Sequence, residues 1–226
     1  MKMHSRSFMA LFLGAGLFAG SATHAGPLAG KGVRAGLTVA NLRGELADLM
    51  GTDRRVGFAG GGFLRIDVRG RVGLQTELLY TMKGATTQMD LTDQSGNLVG
   101  TATTTYQIDY LEIPVLLRVT VGGAGPVQPS LLLGPSLGVK LRSRLAYDGP
   151  GPDMSGDLNQ VKDTDFGLVG GVGLEFGHTP ARMLLDARYT LGLMNVYALE
   201  LMNVAGPPTV LNARTGAFTI TAGLGF

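Results

Sequence analysis

The chain has 226 residues, of which 45% are hydrophobic and 16% charged, a balance that suits one domain with a large buried or lipid-facing surface. It contains no cysteine, which excludes disulfides, thiolate nucleophiles and cysteine-ligated metals. Lys and Arg exceed Asp and Glu by only two, and this excess is Lys2 and Arg6. The rest of the chain is neutral, so its charge gives no sign of a nucleic-acid partner.

The first 25 residues have the features of a secretory signal peptide. Basic Lys2 and Arg6 precede an apolar stretch from Phe8 to Ala19, and small residues lead to an expected cleavage site after Ala25. The apolar stretch is too short to cross a bilayer as a helix. We therefore expect export, with residues 26–226 forming one domain.

Hydrophobicity in this domain alternates with a period of two, which predicts strands long enough to cross a bilayer at a tilt. No segment has the ~20 uninterrupted apolar residues of a transmembrane helix. In the fourth strand the apolar set changes phase after Tyr110, which predicts a β-bulge there. The eight predicted strands are 32–41, 55–68, 72–83, 104–121, 127–142, 164–176, 182–193 and 215–226.

The connections between these strands alternate in length. Short connections are predicted at 69–71, 122–126 and 177–181, and long ones at 42–54, 84–103, 143–163 and 194–214. Outer-membrane barrels show this asymmetry, with long external loops and tight periplasmic turns. An even number of strands also places both ends of the domain on the short-turn side.

The contents of the two strand faces decide between a membrane barrel and a soluble one. Glycines such as Gly134, Gly138, Gly171 and Gly173 share a face with the charged residues, where they would leave room for long side chains inside a narrow barrel. The large apolar residues would overfill such an interior and suit a lipid-facing band. The predicted fold is all-β, an eight-stranded antiparallel up-and-down transmembrane β-barrel. Aromatic residues near strand ends suit membrane girdles: Phe58, Tyr80, Tyr106, Phe166, Phe176, Tyr189 and Phe226.

Charged residues on the polar face are predicted to pair across the lumen as a plug, because unpaired charges are costly in so confined a site. Water channels need ~16 to 18 strands, so we do not expect a general porin. The predicted lumen charge network is Arg34, Arg65, Glu77, Glu112, Arg118, Glu175, Arg182, Asp186 and Arg188.

Several segments resemble the PorT-like porin family of small outer-membrane β-barrels from Gram-negative bacteria. The most specific are YLEIPVLLR from Tyr110 and LQTELLYTMKGA from Leu74. The resemblance implies insertion by the barrel assembly machinery, with Phe226 as a recognition residue for it. It implies little chemistry, although some members take part in secretion or gliding. The other segments that carry it are GVRAGLTVANLRG from Gly32, LGPSLGVKL from Leu133, DFGLVGGVGLEF from Asp165 and LLDARYTLGLMNV from Leu184.

Few residues suggest a reactive site. His178 is the only histidine beyond the signal peptide and lacks partners for metal binding or catalysis, so we expect a structural or solvent-exposed role. The glycines at 60–62 and 170–173 form neither a Walker nor a G-x-G-x-x-G pattern, and lumen packing explains them better than a phosphate cradle. We expect no cofactor, metal or catalytic residue.

The predicted long loops hold carboxylates that could bind calcium or bridge lipopolysaccharide, but their spacing fits no EF-hand and favours a solvated face. Loop 194–214 is unusually apolar and could fold over the barrel mouth or meet a partner. The loop carboxylates are Asp48, Asp53, Asp90, Asp93, Asp153, Asp157, Asp163 and Glu200.

Three functions are compatible with these features. The leading hypothesis is a non-enzymatic outer-membrane barrel that contacts lipid, lipopolysaccharide and other envelope proteins, in support of envelope integrity or secretion. The second is a small-solute pore, suggested by the charged lumen. The third is a hydrolase built from loop carboxylates, for which the chain offers only isolated Asp and Glu.

Overall fold

The structure is a computed structural model that describes residues 28–49, 51–122, 125–150, 154–157, 161–177, 181–201 and 209–226. The predicted signal peptide at 1–25 and His178 lie outside the described residues. Within them, no helix is long and apolar enough to cross a membrane.

Most of the described chain is strand. A single short helix, α1 (Glu45–Leu49), is found in the described residues and follows β1. The strands are β1 (Leu28–Arg43), β2 (Thr52–Arg69), β3 (Val72–Thr92), β4 (Leu98–Thr120), β5 (Val127–Asp148), β6 (Met154–Asp157), β7 (Thr164–Phe176), β8 (Arg182–Gly192), β9 (Tyr197–Leu201) and β10 (Thr209–Gly225).

Eight of these strands form a closed antiparallel ring in the order β1-β2-β3-β4-β5-β7-β8-β10. The ring closes where β10 pairs with β1, from Gly32 opposite Gly225 to Arg43 opposite Arg214. Each ring strand pairs with its neighbours in chain order, apart from the short β6 and β9, which add to the edges of β5 and β10. The predicted eight-stranded up-and-down barrel is confirmed. We call the end with the short β2–β3, β4–β5 and β7–β8 connections the periplasmic end, and the opposite end the external end.

The strands run further toward the external end than the hydrophobic pattern predicted. The expected long loop at 84–103 is wrong, because β3 continues to Thr92 and β4 begins at Leu98. The turn between them is held by Asp93, whose Oδ1 accepts hydrogen bonds from the backbone N–H of Ser95 at 2.8 Å and of Asn97 at 2.9 Å. These bonds hold the pKa of Asp93 below its usual value. Beyond the bilayer a strand needs no apolar face, so its alternation fades while its ladder of hydrogen bonds continues.

A β-bulge lies beside Tyr110 as predicted, but the extra residue is in β5. Asp109 is opposite Arg142 and Tyr110 is opposite Lys140, which leaves Leu141 unmatched. Strand β4 therefore keeps its alternation, and the inferred change of phase in β4 is wrong. The bulge instead shifts β5, so that Arg142, which the alternation of β5 in the sequence places with the inward-facing residues, is exposed.

The outer face of the barrel has the predicted apolar contents, and the predicted charged residues line its interior. On β5, Leu133 is 56% exposed on the outer face, whereas Ser136 is 3% exposed and points inward. Such a continuous apolar exterior on a closed barrel fits a lipid-facing band. Its exposed residues include Leu37, Phe58, Leu74, Leu78, Ile113, Val115, Leu117, Leu131, Leu137, Leu168, Val172, Leu185, Ile220 and Leu224.

Candidate functional site: the barrel interior

The charged residues of the interior form three clusters along the barrel axis. The first, which we call the central ion cluster, consists of Arg34, Glu77, Asp186 and Arg188, and all four side chains are buried. The Arg188 guanidinium donates to both oxygens of Glu77, at 2.7 and 2.8 Å, and to Asp186 Oδ2 at 2.7 Å. Arg34 donates to Asp186 and lies 3.3 Å from Glu77. Two cations and two carboxylates therefore balance in the middle of the lumen.

The second, the periplasmic ion cluster, consists of Arg65, Arg118, Glu175 and Arg182. Glu175 Oε2 accepts from Arg65 at 2.7 Å and from Arg118 at 2.9 Å, and its Oε1 accepts from Arg182 at 2.6 Å. One carboxylate thus serves three guanidinium groups. This cluster carries two more positive than negative charges.

Gln75 links these two clusters and was not singled out by the sequence. It is fully buried, and its Nε2 donates to Glu77 at 2.5 Å. Its Oε1 accepts from Arg65 at 3.4 Å and from Arg118 at 3.5 Å. A neutral amide can donate to the carboxylate on one side and accept from cations on the other, so the two clusters form one hydrogen-bonded system.

The third, the external ion cluster, consists of Lys83, Glu112 and Asp165. It corrects the predicted role of Glu112. Glu112 Oε1 lies 2.5 Å from Lys83 Nζ instead of beside an arginine. The same ammonium is 3.5 Å from Asp165 Oδ2, which also accepts a 2.6 Å hydrogen bond from the Thr215 hydroxyl. Strand alternation places Lys83 and Asp165 on the inner face, but only the three-dimensional register shows that they take Glu112 out of the arginine network.

Large apolar side chains also fill the interior, contrary to the expectation that they would overfill it. Leu116, Leu132 and Val169, from β4, β5 and β7, form a buried cluster. Register places Leu116 opposite Gln75 and Leu132 opposite Arg118, so this apolar cluster lies level with the ionic groups. At the level of the central ion cluster, the lumen is therefore packed by apolar groups from β4, β5 and β7 and by ion pairs from β1, β3 and β8.

Phe63 is a further inward-facing residue that the sequence analysis missed. It is 4% exposed, and the guanidinium carbons of Arg34 and Arg65 lie 4.9 and 5.7 Å from its ring centroid. These distances are in the range of cation–π contacts. The ring thus separates and stabilises two arginines from different ion clusters.

Glycines on β7 make room for the central ion cluster. A Cβ atom on Gly171 would lie 2.6 Å from the Ala187 carbonyl oxygen and 2.8 Å from Arg188 Cγ. The adjacent Gly170 faces the other way, and its Cβ would meet nothing closer than Leu133 Cδ1 at 4.0 Å. The glycine-rich segments lie within strands, which supports lumen packing over a phosphate cradle.

This contrast gives a prediction for two neighbouring positions. We expect Gly171→Ala to lower the free energy of unfolding by about 1–3 kcal/mol, because the methyl group forces apart packed backbone and the Arg188 stem. Gly170→Ala is the control and should change stability by less than about 0.5 kcal/mol. Denaturant unfolding of both refolded variants measures the difference. Equal stabilities would contradict the packing role of Gly171.

The external mouth is covered by residues from the connections around β6 and β9. Val161 is buried against Ile108 and Tyr110, and its carbonyl accepts a hydrogen bond from Lys140 Nζ at 2.5 Å. Val196 is fully buried, and its backbone N–H donates to Ala213 at 2.9 Å. In loop 194–214, Val196 is therefore held against β10, and β9 pairs with β10 as a hairpin, while 202–208 lie outside the described residues.

Among the described residues, no group of three or more His, Asp or Glu could hold a metal ion. Three predicted loop carboxylates have contacts within the protein, and one of them, Asp90, accepts a 3.2 Å hydrogen bond from the Thr101 hydroxyl. Asp93 closes its hairpin, and Asp163 lies 2.9 Å from Lys140 Nζ. Phe226, the predicted assembly residue, is 62% exposed at the periplasmic rim, and its backbone pairs with Lys31 at 2.8 and 3.0 Å.

Solved structures of several outer-membrane proteins are similar to this chain. Neisserial surface protein A (NspA) is 18% identical, with a TM-score of 0.43, over 85% of this chain and 95% of its own. OprG from Pseudomonas aeruginosa is 12% identical, with a TM-score of 0.41, over 87% and 95%. A major outer membrane protein from Thermus thermophilus is 11% identical, with a TM-score of 0.44, over 87% and 99%.

Comparison with curated proteins finds no significant match. The family profile described as outer membrane protein beta-barrel domain matches residues 29–198, which is well over half of the chain and runs from β1 into β9. The closed eight-stranded ring, its apolar exterior and its charged interior agree with this match. The chain therefore belongs to the outer membrane protein beta-barrel domain family.

Proposed function

We propose that this outer-membrane barrel is a non-conducting, non-enzymatic protein that supports the cell envelope through structural or protein contacts at its external end. The observation that carries the proposal is the central ion cluster, whose four charged side chains are at most 6% exposed. Together with the buried apolar cluster of Leu116, Leu132 and Val169, it occupies the middle of the lumen. An eight-stranded barrel has room for such packing and little else.

The shape of the external end supports a role in contacts. Strands β3, β4 and β5 have 21, 23 and 22 residues, whereas about 9–11 tilted residues suffice to cross a bilayer. The outer face of β4 changes from apolar at Ile113 to polar at Asp109, which accepts a 2.8 Å hydrogen bond from the Tyr80 hydroxyl. Above this level the wall stands in water, where it can meet another envelope protein or the sugars of lipopolysaccharide.

The proposal also includes a more specific family and a route to the outer membrane. The resemblance to the PorT-like porins, a Gram-negative source, cleavage after Ala25 and insertion by the barrel assembly machinery through Phe226 form one consistent route to the outer membrane. Exposure of Phe226 at the periplasmic rim supports its recognition role. We expect the mature protein to begin at Gly26 and to fractionate with the outer membrane, and recovery as a soluble periplasmic protein would contradict this route.

Conductance tests the proposal against the alternative of a small-solute pore. We expect the purified full-length barrel to give no stable openings in planar bilayers, because the central ion cluster and its apolar partners fill the lumen. A water-filled porin of ~16 strands, reconstituted in the same way, is the positive control. Reproducible openings of porin size would make the pore the better function.

Contacts at the external end require a second experiment. We expect crosslinking in the intact outer membrane, followed by purification, to recover a defined envelope partner with the full chain. A variant whose β3–β4 hairpin is shortened to a tight turn at membrane height should insert normally and lose that partner. Identical recovery with both proteins would contradict a contact role for the external wall.

A further inference from the structure

The periplasmic end contains a cavity of about 340 Å³ that the proposed function does not use. Its lining includes Gly70 and Gly122 in the short turns, so its mouth lies at that end of the barrel. Its inner wall is formed by Arg65, Arg118 and Glu175 of the periplasmic ion cluster. This volume lies at the low end of the ~300–1,000 Å³ range of ligand sites in proteins.

The residues that line the cavity carry an excess of positive charge. Its charged lining residues are four arginines and two carboxylates. The central ion cluster has two of each sign, and the external ion cluster has one cation for two carboxylates. Arg65, Arg118 and Glu175 are buried, Arg182 is 39% exposed, and Asp67 and Arg71 are exposed at the mouth. Cations held in or beside a confined site favour an added negative charge, so this end of the lumen suits an anion. The charged lining residues are Arg65, Asp67, Arg71, Arg118, Glu175 and Arg182.

The guanidinium groups also keep hydrogen-bond donors free for a ligand. A guanidinium has five N–H groups. Glu175 accepts one bond from each of Arg65, Arg118 and Arg182, and Gln75 accepts one more from each of Arg65 and Arg118, so further N–H groups remain on each arginine. Arg65 is 9% exposed, and its buried Nε has no hydrogen-bond partner among the described residues. The side chain of Arg182 is 39% exposed at the cavity, where it can turn toward an entering group. Forked donors of this kind match the oxygens of phosphate and carboxylate groups.

We propose that this cavity is a binding site for a small doubly charged oxyanion that enters from the periplasm. Arg65 and Arg118 supply fixed donors at the inner wall, and Arg182 supplies an adjustable one near the mouth. Phosphate and a short dicarboxylate share the required chemistry of two negative charges on oxygen atoms. The charge excess of two selects such dianions over chloride.

Calorimetric titration of the full-length barrel in an uncharged detergent tests the site. The probes are inorganic phosphate, at a pH where it is a dianion, and succinate, with sodium chloride as the monovalent control. Low ionic strength keeps screening small. We expect saturable one-to-one binding of at least one dianion and none of chloride, and the dianion that saturates identifies the ligand class. Failure of both to saturate at ~10 mM, where even weak specific sites fill, would overturn the proposal.

Three substitutions at exposed or part-exposed positions separate a built site from general attraction. Arg182→Gln should weaken binding about tenfold through loss of one charge-assisted hydrogen bond, and it leaves Glu175 with Arg65 and Arg118, so the barrel should fold. Asp67→Asn should tighten binding, because it removes a negative charge from the lining. Arg144→Gln removes an exposed arginine at the external end and should leave binding unchanged. Equal affinities for the Arg182 and Arg144 variants would refute the site.

Discussion

Replacing Glu77 by alanine is expected to lower the free energy of unfolding by about 3–5 kcal/mol, the usual cost of leaving buried partner charges uncompensated. The carboxylate accepts both bonds of the Arg188 fork and lies 3.3 Å from Arg34. Without it, two buried arginines share Asp186 alone. Because the chain has no tryptophan, unfolding of the refolded protein is followed by far-UV circular dichroism in a denaturant series.

The matched control for this change is Asp163→Ala. Asp163 also pairs with a cation, Lys140, but its side chain is 87% exposed, and an exposed pair contributes about 0–1 kcal/mol. A second comparison is the double variant Glu77→Ala/Arg188→Ala, which keeps Arg34 with Asp186 and should lose less than the two single variants together. If Glu77→Ala and Asp163→Ala proved equally mild, the central ion cluster would contribute little to stability.

Placing arginine at Leu133 is expected to lower the free energy of unfolding in lipid vesicles by about 2–4 kcal/mol. Leu133 is on the outer face near the middle of β5, so the guanidinium would enter the hydrocarbon region. Gln88→Arg on β3 is the control, since this exposed residue lies above the apolar band and should change stability by less than about 0.5 kcal/mol. Equal effects at the two positions would show that the apolar exterior does not contact lipid.

Strand number and facing could be predicted because contact with lipid forces a strict alternation on β5, where every second residue from Val127 to Leu141 is apolar. The strand ends could not be predicted, since the outer part of β3, which is exposed from Gln88 to Asp90, needs only its hydrogen-bond ladder. Inward-facing Ile108 and Tyr110 were assigned to the wrong face for a related reason. A rule that apolar residues face lipid fails where the interior itself has an apolar wall.

The interior charges could be listed from the sequence but not paired. Alternation places Glu112 and Lys83 on the inner face, yet only the offset between β3 and β4 brings them together. Gln75 carries no charge, so nothing in the sequence distinguishes it from other polar residues. Its amide nevertheless links two ion clusters by hydrogen bonds to Glu77 and Arg118. The excess of positive charge near Arg182 likewise cannot be read from the sequence. It is seen only when the positions of the three ion clusters along the barrel axis are known.

Closure of the ring joins the two ends of the domain, Gly32 with Gly225, and this has a consequence for the order of folding. The central ion cluster depends on the same event, since Arg34 and Asp186 are 152 residues apart in the chain and Arg188 and Glu77 are 111 apart. Contacts this remote make a barrel slow to form. Until the last strand docks, those charges stay hydrated. These charges must therefore lose their water at the same step in which β10 pairs with β1. A folding intermediate whose ring is still open keeps its charges in water and does not enclose mispaired ones.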